Sequence, residues 1–265
     1  MGIKVSIIMG IYNCENTLGK AIDSIINQTY TNWELIMCDD ASNDNTYFLA
    51  HEYEKKYPNK IIVLKNMKNM KLAASLNRCL EVARGEYIAR MDADDECVIN
   101  RLEKQVDFLD RYKEYDVVGS ARFLNDGSEQ MKITKVKVEP DKIDLKYGTP
   151  FAHPTIMIRR KCINELGGYQ VLPRTVRGQD LDLWFRFFAN GYKGYNLKEP
   201  LLIYHEDLKD YKKRTFKTSL MYFKTNIYGF KLLNFPLITY IHAFRPILSS
   251  IIPNKIMMFY HRKGN

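Results

Sequence analysis

The stretch that decides the fold runs from Leu72 to Asp95 and reads LAASLNRCLEVARGEYIARMDADD. Apolar residues recur in its first part at the spacing of one helix face, at Leu72, Leu76, Cys79, Leu80 and Ala83. Arg84 and Gly85 then end the helix, and the short, mostly apolar run Tyr87–Met91 fits a buried strand. Three aspartates follow this strand at once, as is typical of parallel α/β sheets, which bind ligands beyond their strand ends.

The same alternation of strands and helices extends over the first half of the chain and predicts a doubly wound, mostly parallel sheet. We expect strands at Val5–Met9, Glu34–Cys38 and Ile61–Leu64, with helices at 18–26, Thr46–Tyr57 and around Leu102–Leu109. The second half is less regular, which predicts a mixed arrangement of strands there. We expect an edge or hairpin strand at Ile133–Val138, strands at Pro154–Ile158 and Pro200–Tyr204, a helix at Asp180–Ala189 and a helical tail.

The composition is that of an ordinary globular protein. The 265 residues are 46% hydrophobic and 27% charged, which excludes a wholly disordered chain and a collagen-like fibre. The five cysteines are odd in number and contain no C-x-x-C pair, so a disulfide scaffold or zinc ribbon is not expected and a reduced, cytosolic setting fits better. The first residues, MGIKVSIIMGIYN, are not typical of a signal peptide.

The basic excess of the chain lies in its tail. The net charge is +9, and the segment from Tyr211 to the end holds ten Lys and Arg and no Asp or Glu. Nucleic-acid binding is not expected, since its basic surface is more often spread over the fold. Apolar and aromatic residues between the basic ones favour contact with an anionic membrane surface, although no uninterrupted span occurs. A helical pair packed on the main domain, with the basic residues solvated, is the alternative.

Asp92, Asp94 and Asp95 form the strongest chemical signal. Carboxylates this close raise one another's pKa unless a cation is present, and oxygen ligands select Mg²⁺ or Mn²⁺. Such a metal can stabilise a departing nucleoside diphosphate. A solvated turn or the acidic first turn of a helix is the alternative.

Further candidates follow the first two strands. Gly10–Asn13 follows strand one, and Asp39 and Asp40 end strand two, where a carboxylate can accept from the imide N–H of uracil or from a ribose hydroxyl. Lys71 is a candidate for a phosphate contact as a point charge. The alternative for the two aspartates is local capping of the DDASNDNT loop. The alternative for Lys71 is a solvated surface lysine.

A second group of candidates lies in the second half of the chain. Asp180, before an apolar helical segment, is placed to take a proton from an acceptor hydroxyl. His153 and His205 stand beside motif-like stretches, although a lone histidine is more often structural. No P-loop, nucleophile elbow or G-x-G-x-x-G fingerprint occurs in the sequence.

Taken in order, these stretches resemble a known family. VSIIMGIYN, QTYTNWELIMCDDASNDNT, LAASLNRCLEVARGEYIARMDADD and RLEKQVDFL are similar to the N-terminal half of bacterial family 2 glycosyltransferases, which have the GT-A fold and build surface polysaccharides. HPTIMIRR and GQDLDLWFRF resemble the acceptor half of that family. The resemblance covers residues 3–207.

The resemblance implies a donor site for a nucleotide diphosphate sugar, most often a UDP-sugar. Gly10, Ile11 and Tyr12 would line the nucleoside pocket. Asp40 would meet the base, with Asp39 beside it. Lys71 would lie at the donor, in a position where the family often has glycine.

The resemblance also implies inversion at the anomeric carbon, with Asp180 as the general base. Asp94 would be the principal ligand of Mn²⁺ or Mg²⁺, and Asp92, with Ala93 next to it, would face the ribose or the metal. The further metal ligands are expected among Asp92, Asp95 and His205. His153 and Trp184 would face the acceptor.

The sequence thus predicts an inverting, metal-dependent glycosyltransferase. Residues 1–210 would form the GT-A domain, with a nucleotide-sugar half at 1–115 and an acceptor half at 116–210, and 211–265 a basic amphipathic tail. We expect a saccharide or polyprenyl-linked acceptor from capsule, O-antigen or exopolysaccharide synthesis, at the cytoplasmic face of the cell membrane. The alternatives are a nucleotide-sugar-binding or scaffold protein without catalysis, and a nucleotidyltransferase, for which GIYNCENT lacks the glycine-rich basic loop.

Overall fold

The computed structural model describes residues 2–127, 130–206 and 215–251. The part of the predicted tail at 211–214 and 252–265 lies outside the described residues. The strands are β1 Val5–Ile11, β2 Trp33–Asp39, β3 Ile61–Lys65, β4 Tyr87–Arg90, β5 Glu96–Cys97, β6 Val117–Asn125, β7 Lys132–Ile133, β8 Met157–Arg159 and β9 Gly194–His205. The α-helices are α1 Leu18–Ile26, α2 Thr46–Lys56, α3 Leu72–Val82, α4 Arg101–Arg111, α5 Arg160–Glu165, α6 Gln179–Ala189, α7 Phe216–Leu232 and α8 Arg245–Ile251, and the 3-10 helices are Lys142–Lys146, His153–Thr155 and Leu237–Phe244.

All described strands join one mixed sheet. Its order is β3-β2-β1-β4-β8-β6-β9-β5, with β7 paired to β6. The neighbours from β3 to β4 are parallel, which confirms the doubly wound α/β half that the sequence predicts. From β4 onward the pairing is antiparallel at β8, parallel between β6 and β9 and antiparallel again at β5, which gives the mixed second half.

Two hydrophobic layers cover this sheet, and alternate residues of the central strands supply them. Ile8 and Ile36 face one layer, together with α3 and α6. Ile7 and Met37 face the other layer, together with α1, α2 and α4. Because both faces are buried, the strands are continuous apolar runs in the sequence.

The structure corrects three of the predicted strands. Of the strand predicted at Ile133–Val138, only Ile133 lies in a strand, because β7 ends there after two residues paired to β6. The first half of the strand predicted at Pro154–Ile158 is wrong: a 3-10 turn at His153–Thr155 comes first, because proline has a fixed φ and no N–H to give to the sheet. The last strand is longer than Pro200–Tyr204, since β9 starts at Gly194. Pro200 lies at an irregularity of the β6–β9 register, one of the few places where a sheet tolerates proline.

The described C-terminal segment packs on the acceptor half. Phe230, Leu233 and Ala243 are buried in the same core cluster as Trp184 and Phe185. A Cβ atom on Gly229 would collide with the ring of Phe185, so α7 approaches α6 closely at this point. None of the helices in the described ranges combines the length and the apolar character that crossing a bilayer requires.

Candidate active site

The three aspartates that follow β4 lie together at the carboxyl edge of the parallel strands. One ligand atom from each of Asp92, Asp94 and Asp95 lies within 4.8 Å of the others. Asp94 is exposed, Asp92 is half-buried and Asp95 is fully buried. Burial, together with the charges of Asp92 and Asp94, raises the pKa of Asp95 to about 8.

This cluster fits a hard divalent cation. Within the described part of the chain, neither carboxylate oxygen of Asp95 has a hydrogen-bond partner of ordinary geometry, although the backbone N–H of His205 lies near enough to lower its pKa. Buried carboxylates are costly without a compensating charge, and three carboxylates offer the oxygen ligands that Mg²⁺ and Mn²⁺ prefer. The residues present therefore suit the metal that the sequence predicts.

His205 is not part of this group of acids. Its Nε2 atom donates to Glu96 Oε1 at 2.8 Å, and its Nδ1 atom accepts from Asn125 Nδ2 at 3.3 Å. Both ring nitrogens are therefore engaged with neighbouring strands, and the part of His205 nearest Asp95 is its main chain.

Arg90 is a functional candidate that the sequence analysis quoted without giving it a role. It is the last residue of β4, its side chain is almost fully buried, and its guanidinium forms an ion pair with Asp92. Its Nε and Nη1 atoms have no hydrogen-bond partner among the described residues. An arginine at the end of an otherwise apolar, buried strand was the signal that could have identified it, since such a residue is rarely buried without a partner.

Asp40 uses both carboxylate oxygens to hold a neighbouring loop. Its Oδ1 atom accepts from Asn66 Nδ2 and from the backbone N–H of Met70, both at 2.7 Å, and its Oδ2 atom accepts from the backbone N–H of Lys71 at 2.9 Å. The Lys71 side chain is exposed, and its backbone has a φ of 72°, in a region that favours glycine.

Asp39 is fully buried beside Asp40 and has an oxygen to spare. Its Oδ2 atom accepts from the backbone N–H of Ser42 at 3.3 Å, whereas its Oδ1 atom has no hydrogen-bond partner in the part of the chain that is described. Of the two aspartates at this strand end, Asp39 is therefore the one with an acceptor left for a ligand.

Asn66 and Arg78 complete this corner, and the sequence analysis missed both. Asn66 follows β3 directly, is buried, and donates to Ser75 Oγ at 2.9 Å. Arg78 Nη1 donates to Asn66 Oδ1 at 2.7 Å. Applying the strand-end rule to the third strand, as was done for the other parallel strands, would have found Asn66.

The end of β1 and the residue that follows it divide between the core and the surface, since β1 extends to Ile11 and includes Gly10. Ile11 is fully buried in the core cluster, so only its main chain can face a nucleoside, whereas Tyr12 is half-exposed. A Cβ atom on Gly10 would lie 2.6 Å from Leu72 Cδ1, so glycine allows the start of α3 to approach β1 closely. Ala93, between Asp92 and Asp94, is buried.

Asp180 stands in the first turn of α6 and belongs electrostatically to the same site. Its Oδ1 atom accepts from the backbone N–H of Leu181 at 2.8 Å. Burial raises the pKa of Asp180, with a further rise from Asp92 and an opposing effect of Arg90. The acid from the acceptor half is thus brought close to the acids that follow β4.

His153 and Trp184 lie beneath the site rather than on its surface. Trp184 is fully buried, and the rings of His153 and Trp184 are 5.6 Å apart. His153 Nε2 lies 2.9 Å from Tyr169 Oη, and burial together with Arg90 lowers the pKa of His153 well below its usual value, so the ring is neutral. His153 Nδ1 and Trp184 Nε1 have no hydrogen-bond partner among the described residues.

Comparison with known proteins identifies a family and close relatives. The sequence model of the family described as "Glycosyl transferase family 2" matches residues 6–167. The chain is 44% identical to EpsE of Bacillus subtilis (strain 168), which is named as a glycosyltransferase, over 99% of this chain and 94% of the relative. It is 29% identical to the Escherichia coli enzyme WfaP, named as a UDP-Glc:alpha-D-GlcNAc-diphosphoundecaprenol beta-1,3-glucosyltransferase, over 72% and 73% of the two chains.

Two solved structures share the fold at low sequence identity. TarS 1–349 of S. aureus, in complex with UDP, is 17% identical, with a TM-score of 0.66 over 87% of this chain and 69% of that chain. The mannosyltransferase PcManGT of Pyrobaculum calidifontis, in complex with GDP-Man and Mn²⁺, is 16% identical, with a TM-score of 0.66 over 98% and 79%.

Proposed function

The chain belongs to glycosyl transferase family 2 and has the GT-A fold, and on that premise we propose that it transfers a sugar from a nucleotide diphosphate donor to a saccharide or lipid-linked saccharide in bacterial surface polysaccharide synthesis. The observation that carries the proposal is that Asp92 and Arg90, at the end of β4, lie near enough to Asp180 to influence its pKa. An inverting displacement requires a base close to a cluster of acids that can bind a metal.

The donor is a UDP-sugar in this proposal. Asp39 Oδ1, the buried oxygen without a partner, accepts from the imide N–H of uracil or from a ribose hydroxyl. The relatives named above agree with this choice, because WfaP is named for UDP-Glc and TarS was solved with UDP. PcManGT was solved with GDP-Man, so a guanosine donor is the competing choice.

Asp94, with Asp92 and Asp95, would hold Mg²⁺ or Mn²⁺. The bound cation supplies Lewis acidity and neutralises the charge of the diphosphate. Arg90 fixes the orientation of Asp92 through their ion pair and adds a positive charge that does not depend on the metal.

Asp180 acts as the general base. Its carboxylate takes the proton of the acceptor hydroxyl while the hydroxyl oxygen forms a bond to the anomeric carbon. The bond from that carbon to the β-phosphate oxygen breaks, and its electron pair leaves with the nucleoside diphosphate. Attack from the face opposite the phosphate inverts the configuration, and no protein nucleophile takes part.

The stereochemistry of donor hydrolysis tests this mechanism without an identified acceptor. With Mn²⁺ and UDP-α-glucose, UDP-α-GlcNAc or GDP-α-mannose as the donor, we expect slow release of the nucleoside diphosphate. In proton NMR the β-anomer of the sugar should appear before it equilibrates. Asp180→Asn should lower the rate by about 10²–10⁴-fold. Initial release of the α-anomer, or an unchanged rate in Asp180→Asn, would reject the inverting base mechanism.

We also place the enzyme at the cytoplasmic face of the cell membrane through its C-terminal segment. Leu237 is 86% exposed and Ile238 78% exposed, which is far more than a packed helix face needs. Ile241, Phe244 and Leu248 continue this apolar surface. No acidic residue occurs from Tyr211 to the end, so the surface suits anionic lipids and would bring the site to a polyprenyl-linked acceptor.

A further inference from the structure

Helix α7 packs directly over the chain segment that leads to Asp180. A Cβ atom on Gly178 would lie 2.9 Å from Tyr222 Cε1, so the edge of the Tyr222 ring covers the backbone two residues before Asp180. Gly178 has a φ of 87° and is the residue that precedes α6. Glycine therefore serves both the backbone turn and the close approach of the tyrosine.

Two further contacts fix the same segment to α7. Thr225 Oγ1 donates to the backbone oxygen of Arg174 at 3.0 Å. The Arg174 guanidinium stacks on the ring of Tyr228, 4.0 Å from its centroid. Three residues on one face of α7, Tyr222, Thr225 and Tyr228, thus hold the segment 174–178.

The segment is also tied to α6 by a buried ion-pair cluster. Asp182 is fully buried and forms ion pairs with both Arg174 and Arg186. Arg186 donates further to the backbone oxygens of Leu166, at 2.5 Å, and Gly168, at 2.9 Å. The loop from 166 to 178 is therefore held at several points by α6 and α7.

Asp180 and Tyr222 affect each other electrostatically. Burial raises the pKa of Tyr222 to about 12, with a contribution from Asp180. The charged or titratable groups that influence these two side chains come from both halves of the protein and are Arg90, Asp92 and Arg177. Tyr169 also interacts with Asp180. Removal of the Tyr222 ring would let water reach the carboxylate.

We propose that Tyr222 is a positioning residue for Asp180. In this proposal α7 helps to form the active site, and it also leads into the C-terminal segment that we place at the membrane. The Tyr222 ring holds the Gly178 turn and keeps the first turn of α6 in one position. This inference rests on the proposed role of Asp180 as the base.

The test compares Tyr222→Leu with Tyr222→Phe, which keeps the ring. Phe223→Leu is the matched control, because Phe223 lies on the same helix and packs on Phe244, with ring centroids 4.8 Å apart. The rate of nucleoside diphosphate release is measured against pH with Mn²⁺ and the donor that stabilises the protein most. Amide hydrogen exchange at residues 178–182 is measured on the same proteins.

For Tyr222→Leu we expect kcat to fall at least about tenfold while KM for the donor stays within about twofold. The acid limb of kcat should move to lower pH, because a hydrated Asp180 ionises more easily. Amides 178–182 should exchange faster. Tyr222→Phe should restore the parent values, and Phe223→Leu should leave them unchanged.

An unchanged kcat and acid limb in Tyr222→Leu, in a parent that releases the nucleotide, would overturn the proposal. An equal loss of kcat in Tyr222→Leu and Phe223→Leu, without a shift of the acid limb of the pH profile, would also overturn it. That result would show only a structural role for Tyr222. If the parent releases no nucleotide, the proposed function fails instead. Hydrogen exchange then decides the positioning role, since unchanged exchange at 178–182 in Tyr222→Leu would reject it.

Discussion

At the scale of single residues, the site contains acids whose burial disfavours the ionised carboxylate. Asp95 is fully buried and has a pKa raised to about 8, and burial also raises the pKa of Asp180. The buried Arg90 partly compensates both acids, because its charge lowers the pKa of Asp95 and of Asp180. Such arrangements cost stability and are typical of functional sites, where the substrate or a cation supplies the missing charge.

The first prediction concerns this cost at Asp180. Because its folded-state pKa is raised, the native state keeps the proton longer than the unfolded state as pH rises, so the free energy of unfolding falls between the unfolded pKa and the folded pKa. Asp180→Asn should therefore have a higher Tm than the parent at pH 7, and the difference should vanish near pH 3. Each kcal/mol gained raises Tm by about 2–4 °C in a chain of this size.

Thermal unfolding across that pH range, without divalent cations, is the measurement. Asp44→Asn is the matched control, because the pKa of Asp44 is lowered and its ionised form stabilises the fold. Asp44→Asn should lower Tm at pH 7. An Asp180→Asn variant less stable than the parent at pH 7 would contradict the raised pKa.

At the scale of elements, the position of the base depends on how α6 is tied down. Asp182 lies two residues after Asp180 on α6 and forms ion pairs with Arg174 and Arg186. Both arginine side chains are largely buried. The backbone of Tyr169 is fixed to α3 by two hydrogen bonds with Asn77, each 2.8 Å. The acceptor half is thus connected to the donor half by polar contacts with defined geometry.

The second prediction tests the buried cluster. Asp182→Ala leaves two arginines buried without their partner, and breaking such pairs costs about 3–5 kcal/mol. Chemical denaturation measures this loss. Glu52→Ala, which removes the partner of Lys55 in an exposed pair, should cost less than about 1 kcal/mol. Equal costs for the two variants would show that the cluster does not hold α6.

Elements with a clear period could be predicted from the sequence, and those without one could not. β1 to β4 are short apolar runs between amphipathic helices, so both their type and their order could be read. β6 reads VVGSARFLN and mixes polar with apolar residues, because only its first half is buried. β5 has only two residues and forms by pairing with β9, a contact between residues far apart in sequence.

The candidate site follows the same division. The acids after β2 and β4 could be predicted because strand ends mark ligand sites in such sheets. The same rule, applied to the third strand, would also have found Asn66, whereas Arg78 could not be chosen without knowing that α3 lies against that strand end. The buried surroundings of His153 and Trp184 also depend on tertiary packing, which the local sequence does not reveal.

At the scale of the whole molecule, the basic, acid-free part of the chain also carries an exposed apolar surface. The described residues from Thr215 to Ile251 contain no acid and include Lys224, Lys231 and Arg245. Thr239 and Ala243 face the core while Leu237, Ile238 and Ile241 face outward. One segment thus joins the catalytic domain on its inner side and presents an apolar, acid-free surface on its outer side.

The third prediction concerns that surface. Replacing Leu237, Ile238 and Ile241 with serine should weaken binding to phosphatidylglycerol vesicles at least about tenfold, since each side chain loses several CH₂ equivalents of apolar burial. Flotation measures the bound fraction. Phe48→Ser and Met67→Ser change exposed apolar residues elsewhere and should bind like the parent. Unchanged flotation of the triple variant would show that this surface does not bind the vesicles.

The metal-dependent donor site is tested most directly by measuring thermal stability with a panel of nucleotides. UDP, GDP, dTDP and CMP are each added with Mn²⁺ or with EDTA to the parent, Asp94→Asn and Asp180→Asn. A ligand that binds only the folded state must raise Tm by mass action. We expect one diphosphate, UDP first, to raise the Tm of the parent and of Asp180→Asn with Mn²⁺, but not with EDTA or in Asp94→Asn. No shift with any nucleotide, or an equal shift in Asp94→Asn, would contradict a metal-dependent donor site at these aspartates.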